Sequence, residues 1–279
     1  MNATVVGASG YSGRQLVSLL IQHPKINLVE VTSRAYSGKT VESCIPNLRG
    51  KTKGLVFTNP SIEELSKNSK CELFFLALPH GTAASYAIPL LEAGKKVIDL
   101  TADFRLRTPE CYEEFYGTPH PAPEWLKKAT YGLPEIHSFT WDDSPLIASP
   151  GCYPTSILIP LFPLLKDQLI EENDIVANSM SGVSGAGRTA SEKLLYCERN
   201  ESASAYGLPK HRHLSEMEEQ LSLAVTNKII ISFHPHLAPM NRGICSTISA
   251  RAKAGSTRKQ VWDCWNDFYR GRKFVHLLE

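Results

Sequence analysis

The residues of this chain best suited to chemistry are one cysteine and a close pair of histidines. Cys152 stands in SPGCYPT, with Pro150 and Gly151 before it, Pro154 after it, and the apolar run SILIPLFPLL beyond. Proline is favoured in the first turn of a helix, so this spacing places the thiol at a helix N-terminus. The helix dipole there lowers a thiol's pKa and raises its thiolate fraction, which makes a nucleophile. The other cysteines lack that setting. Cys71 and Cys245 lie in strand-like runs, Cys197 and Cys264 in helical ones, and all four read as small buried hydrophobes.

A nucleophilic thiolate needs a proton-transfer partner, and histidine suits that task near neutral pH. The segment LPKHRHLSEM concentrates His211, Arg212, His213 and Glu216. A helix beginning near His213 puts Glu216 one turn on, within reach of an imidazole or a substrate; which histidine performs the step stays open. A metal set of His211, His213, His234 and His236 is the competing arrangement. Cationic Arg212 beside the first pair and the lack of cysteine or carboxylate spacing argue against it, so no metal is expected. Three further segments have anion-binding character: SGVSGAGR with its backbone amides and Arg188, ADFR with Arg105, and PMNRG with Arg242. Beside a reactive thiol they point to an anionic substrate.

Near the N-terminus, GASGYSG spaces Gly7, Gly10 and Gly13 between a strand and a helix. Glycines in that context allow a tight turn and let backbone N–H groups approach a pyrophosphate, with the helix dipole behind them. Ser9, Tyr11 and Ser12 complete the loop. A loop that selects NAD usually has an acid at the end of the next strand, but here the chain reads Thr32, Ser33, Arg34, with Lys39 nearby. Arg34 can pair with a 2'-phosphate and Ser33 can donate to it, which favours NADP.

These residues need a scaffold. Ala3 to Val6 reads as a strand, RQLVSLLIQHP as a helix stopped by Pro24, and Asn27 to Thr32 as a second strand. CELFFLAL, GTAASYAIPLLEAG and KKVIDLT repeat the strand, helix, strand alternation, so the first part is an α/β, doubly wound parallel sheet with helices on both faces. From about residue 102 the pattern loosens into a Pro-, Tyr- and acid-rich stretch. The division falls at 149/150, giving a dinucleotide-binding domain over 1–149 and an α+β domain over 150–279. In the latter, DIVANSMSGVSGAGR reads as a strand entering a loop, RHLSEMEEQLSLAV as a helix, and KIIISFHPHL and GICSTISARAKAG as alternating, mostly antiparallel strands. Thr257 and Gln260 form a capping box for VWDCWNDFYRG. The 279 residues carry 42% hydrophobic and 21% charged residues and a net charge of +2, with no basic run suited to nucleic acid. No apolar run reaches about 18 residues, and no signal segment precedes the first strand, so a cytoplasmic protein without a membrane partner is expected.

Taken together and in order, GASGYSG, DLTADFR, YGLPE, SPGCYPT, SGVSGAGR, HRHLSE and HLAPMNRGI closely resemble the N-acetyl-gamma-glutamyl-phosphate reductase family, related to aspartate-semialdehyde dehydrogenase. The resemblance implies a Rossmann domain followed by a catalytic and dimerisation domain, NADP(H) as cofactor, an acyl phosphate substrate with release of inorganic phosphate, and a homo-oligomer, dimer or tetramer. It implies Cys152 as nucleophile and a histidine of HRH, His211 or His213, as acid/base. Ser184 and Gly185 are assigned to the cofactor, and Arg105, Arg188, Glu216 and Arg242 to the substrate. Relatives of this kind run several tens of residues past HLLE, with a tail that returns to the dinucleotide domain. Two rivals remain: an aspartyl phosphate reductase, whose family has a histidine in the late Arg-Gly segment that PMNRGICS lacks, and a non-catalytic NADP-binding module.

Overall fold

Short strands that are apolar on both faces stay out of water only in a sheet covered by helices on each side. In the computed structural model, which describes residues 1–140 and 143–278, the first part of the chain builds such a sheet from β1 (Asn2–Val6), β2 (Asn27–Thr32), β3 (Phe57–Thr58), β4 (Leu73–Leu76), β5 (Lys96–Asp99), β6 (Thr130–Tyr131) and β7 (Leu146–Ala148). Among the described residues the order is β3-β2-β1-β4-β5-β7-β6, with parallel pairing throughout. The winding reverses between β1 and β4, where such sheets open a ligand crevice beyond the carboxyl ends of their strands. Helix α1 (Tyr11–Leu20) follows β1, and α2 (Ala83–Glu92) follows β4. Phe74 and Phe75, neighbours on β4, enter two different apolar clusters, as side-chain alternation requires.

Residues 1–109, 120–132 and 139–149 form one compact unit, and 110–119, 133–138 and 150–279 another. The second unit contains α3 (Cys152–Lys166), β8 (Ile175–Ser181), β9 (Ser204–Ala205), α4 (His213–Ser222), β10 (Ile231–Leu237), β11 (Ile244–Ser249) and α5 (Arg258–Phe268). Its sheet runs β11-β8-β10-β9. The β11–β8 and β10–β9 pairs are antiparallel as expected, but the central β8–β10 pair is parallel, because the chain crosses back through α4 between them. Along β8, Ile175, Ala177, Ser179 and Ser181 are buried while Asn178 and Met180 are exposed, so one face carries the core.

Helix α3 contains Pro160 and Pro163, each of which deprives a carbonyl one turn back of its donor. Tyr269 Oη donates to the freed carbonyl of Ile159, and Trp265 Nε1 donates to Pro160 O at 2.9 Å, which docks the end of α5 on α3. The capping box that starts α5 is formed: Thr257 Oγ1 accepts from Gln260 N at 3.2 Å, and Thr257 N donates to Gln260 Oε1 at 2.9 Å. All seven cysteines are thiols. Cys71 and Cys264 are buried as expected, but Cys197 and Cys245 are exposed. Cys245 lies on the outward side of β11, and Cys197 in the short exposed helix Tyr196–Arg199. Among the described residues, no helix is long and apolar enough to cross a membrane.

Candidate active site

In the first unit the glycine loop leaves β1 with Gly7 at φ 83°, where an added Cβ would lie 2.4 Å from Ala77 O. A Cβ on Gly13 would lie 2.5 Å from Gly7 O, so α1 packs on the loop only because that position has no side chain. Gly10, the N-cap of α1, is different: the nearest atom to a Cβ there is 3.8 Å away. Open space thus meets a helix terminus whose first turn holds no acid and exposes Tyr11 and Ser12. An anion fits there.

The end of β2 secures this loop. Thr32 Oγ1 accepts from Gly7 N at 3.2 Å, and Thr32 O accepts from Ala8 N at 2.9 Å. Ser33 departs from expectation: it is 5% exposed, its hydroxyl donates to Ser9 Oγ at 2.9 Å and accepts from Tyr36 N, so it joins two loops instead of facing a phosphate. Arg34 is exposed and donates to Tyr86 Oη at a long 3.5 Å. Lys39 lies over the Tyr36 ring.

Arg105 is largely buried and tied to backbone. At 6% exposure it donates from Nε to Ser149 O at 2.7 Å and from Nη2 to Leu100 O at 2.9 Å, which braces the loops beyond β5 and β7. Beside it, the buried Asp99 accepts from Thr101 N and Thr101 Oγ1, each at 2.9 Å. Burial above all pushes this carboxyl up to about 7; Asp103 adds to the rise, while Thr101 and Arg105 oppose it. Asp103 accepts from Gly81 N at 2.7 Å and Ala84 N at 3.2 Å, which anchors the start of α2.

In the second unit Cys152 is the first residue of α3 and is exposed, with Gly151 as N-cap and no acid in the first turn. Gly151 has no room for a side chain. A Cβ there would lie 2.8 Å from His213 Nε2 and 2.9 Å from Glu216 Oε2. His213, 7% exposed, begins α4 where the sequence places a helix start. Glu216, one turn on, accepts from Gly151 N at 2.7 Å through Oε1 and is 1% exposed, so it holds the backbone before the thiol.

The two histidines now differ. His211 Nδ1 accepts from His213 N at 3.1 Å, and its ring packs edge-on to Tyr153, Tyr206 and Phe233. Burial first, and the neighbouring Arg212 second, pull its pKa down to about 4, so the ring stays neutral through the physiological range. Tyr153 Oη and Tyr206 Oη are 2.8 Å apart, and burial holds both phenols above their usual range as proton donors.

Cys152, His211, His213, Tyr153, Tyr206 and Gly185 share the lining of a cavity of about 440 Å³. Ser184, half-buried, lies in the same 3₁₀ turn, Val183–Ala186, but does not line it. The expectation of an amide nest in SGVSGAGR is overturned: the N–H groups of Gly182, Val183 and Ser184 donate to Gly243 O, Met240 O and Asn241 O at 2.9, 2.9 and 3.1 Å. Gly185 N and Gly187 N donate within the turn. These bonds stitch the turn to PMNRG, and Gly182 permits it, since a Cβ there would lie 2.6 Å from Arg242 N. Arg188 and Arg242 are both exposed and neither lines the cavity. His234 and His236 lie on β10, with His234 Nδ1 at 2.9 Å from Asn178 Oδ1. The cations that do line the cavity are Lys193, Arg199 and Arg212. No motif in the sequence marks Lys193 or Arg199, which fall in helical turns of three and four residues; Arg212, between the histidines, enters the sequence reading only as an argument against metal.

Two family models cover most of the chain: semialdehyde dehydrogenase, NAD binding domain, over residues 2–143, and semialdehyde dehydrogenase, dimerisation domain, over 152–279. An N-acetyl-gamma-glutamyl-phosphate reductase of Akkermansia muciniphila is 50% identical over all of this chain and 80% of its own length, and one of Geobacter metallireducens is 44% identical with the same coverage. Among solved structures, aspartate semialdehyde dehydrogenase II of Vibrio cholerae matches with a TM-score of 0.68 at 18% identity, over 94% of this chain and 77% of that one. The Candida albicans enzyme, solved with NADP, matches at 0.63 and 17% over 94% and 75%. At these identities the solved structures establish the fold.

Proposed function

Because this chain belongs to the N-acetyl-gamma-glutamyl-phosphate reductases of the semialdehyde dehydrogenase family, we propose that it reduces N-acetyl-gamma-glutamyl phosphate to N-acetylglutamate 5-semialdehyde in arginine biosynthesis, through a thioester on Cys152. The observation that carries the mechanism is the placement of His213 and Glu216 against Gly151, the residue before the thiol.

The turn Gly7–Gly13 and the start of α1 hold the pyrophosphate of the cofactor, and Arg34 holds its 2'-phosphate. NADPH, when bound, supplies the hydride that reduces the acyl carbon. Cys152, at the positive end of α3, attacks the acyl phosphate carbonyl as a thiolate; the C–S bond forms, and the C–O bond breaks with its electron pair leaving on phosphate. After reduction, His213 exchanges a proton with the tetrahedral oxygen. Collapse of that centre re-forms the carbonyl and returns Cys152 as thiolate. His211, kept neutral, orients His213 through its backbone N–H, and Glu216 fixes Gly151. The match to a dimerisation domain supports a homo-oligomer, a dimer or a tetramer built from dimers.

The test is phosphate-dependent NADP reduction with N-acetylglutamate semialdehyde and aspartate semialdehyde side by side. The expected kcat/KM favours the acetylated substrate by about 100-fold or more. A preference for the aspartyl compound contradicts the proposal.

A further inference from the structure

The cavity beside Cys152 has an unbalanced charge. Lys193, Arg199 and Arg212 line it, and no Asp or Glu does among the described residues. None of the three cations is in an ion pair among those residues. Arg199 is the best fixed of them, since Nη1 donates to Ser204 Oγ at 2.8 Å. Its Nε is shielded from water and has no hydrogen-bond partner among the described residues, a state that a buried polar group resolves by taking an acceptor. Glu216, a carboxylate on the neighbouring helix, is committed to Gly151 N at 2.7 Å and does not line the cavity.

Such a cavity discriminates by sign. An incoming carboxylate or phosphate meets guanidinium and ammonium groups of opposite charge, and Arg can grip either one bidentately. A free α-ammonium group would be desolvated among like charges with no acid to receive it, whereas a neutral amide adds no charge. Resting on the acyl phosphate reading above, we propose that Lys193, Arg199 and Arg212 read the two anionic groups of the substrate, and that the lack of an acid in the cavity selects an N-acylated amino acid over one with a free amine.

The test uses the thiol itself. Purified protein is alkylated with iodoacetate, an anion, and iodoacetamide, its neutral counterpart, and modification of the Cys152 peptide is followed by mass spectrometry, which separates it from the exposed Cys197 and Cys245. In the native chain iodoacetate reacts the faster of the two. The double variant Lys193→Gln, Arg199→Gln slows iodoacetate about tenfold and leaves the iodoacetamide rate within about twofold, so the neutral reagent also reports that the thiol and its helix are intact. N-acetyl-L-glutamate protects Cys152 in the native chain at concentrations where L-glutamate does not, and the double variant loses that protection. Equal iodoacetate rates in the two proteins overturn the anion-reading role, and equal protection by L-glutamate overturns the selection. If both tests succeed but the chain does not turn over N-acetylglutamate semialdehyde, the assigned reaction fails and the cavity's selectivity stands.

Discussion

The two sheets of this molecule put function in different places. The first is parallel among the described residues and largely buried, so the residues proposed for the cofactor lie in the loops at the ends of β1 and β2: the glycines of one and the Arg34 side chain of the other. The second is mixed and carries its core on one face, and the residues proposed for its chemistry stand at two helix starts, Cys152 on α3 and His213 on α4. In the first unit the residues proposed for function are mainly glycines, of which Gly7 and Gly13 have no room for a side chain. In the second they are side chains whose protonation and charge matter. Variants of the first kind should therefore act on cofactor affinity and leave the thiol reactive, while variants of the second kind should do the reverse.

The largest effect expected is from Gly13→Val, whose side chain would enter the space of Gly7 O and Ala8. NADP binding, followed by fluorescence titration, falls below detection while iodoacetamide still labels Cys152; retained affinity would break the comparison. Next is His213→Asn, which lowers kcat by about 10²- to 10³-fold with the Kd for NADP unchanged. His211→Asn costs only about tenfold, and the opposite ranking would exchange the roles of the two histidines.

The pH dependence of stability separates the units by sign. Asp99 has its pKa raised by folding, from 3.8 to about 7, so the stability tied to it falls as pH rises from about 4 to about 7. His211 has its pKa lowered, from 6.5 to about 4, so the stability tied to it falls as pH drops through that window. Asp99→Asn should stabilise the protein at pH 8 by on the order of 2 kcal/mol and have no such effect near pH 4, as read by urea unfolding. An equal effect at both pH values would show that Asp99 is not held protonated by burial. Last is Arg34→Ala, which weakens NADP about fivefold and leaves NAD unchanged. Equal losses would remove Arg34 from 2'-phosphate recognition.

The same contrast explains what could be read before the fold was known. Backbone requirements show in spacing, so Gly7, Gly10 and Gly13, strand β2 and the helix starts at Cys152 and His213 all fall where the pattern puts them. Strands β6 and β7, two and three residues long, are too short to have a period. Ser33, Arg105 and Glu216 were expected to face ligands, yet each turns inward, because unpaired loop backbone groups and neighbouring hydroxyls compete for the same polar side chains. Lys193 and Arg199 reach the cavity from two short helical turns, Glu192–Leu194 and Tyr196–Arg199, each too short to show a period in the sequence.

The central claim, a thioester on Cys152, is tested most directly by mixing the protein with N-acetylglutamate semialdehyde and NADP in the absence of phosphate. Attack by Cys152, with loss of hydride to NADP, should give a burst of about one NADPH per active site and an acyl adduct on the Cys152 peptide. Added phosphate should discharge the adduct, and Cys152→Ser should bind NADP normally and show no burst. A burst that survives in Cys152→Ser, or an acyl group found on another residue, contradicts the account.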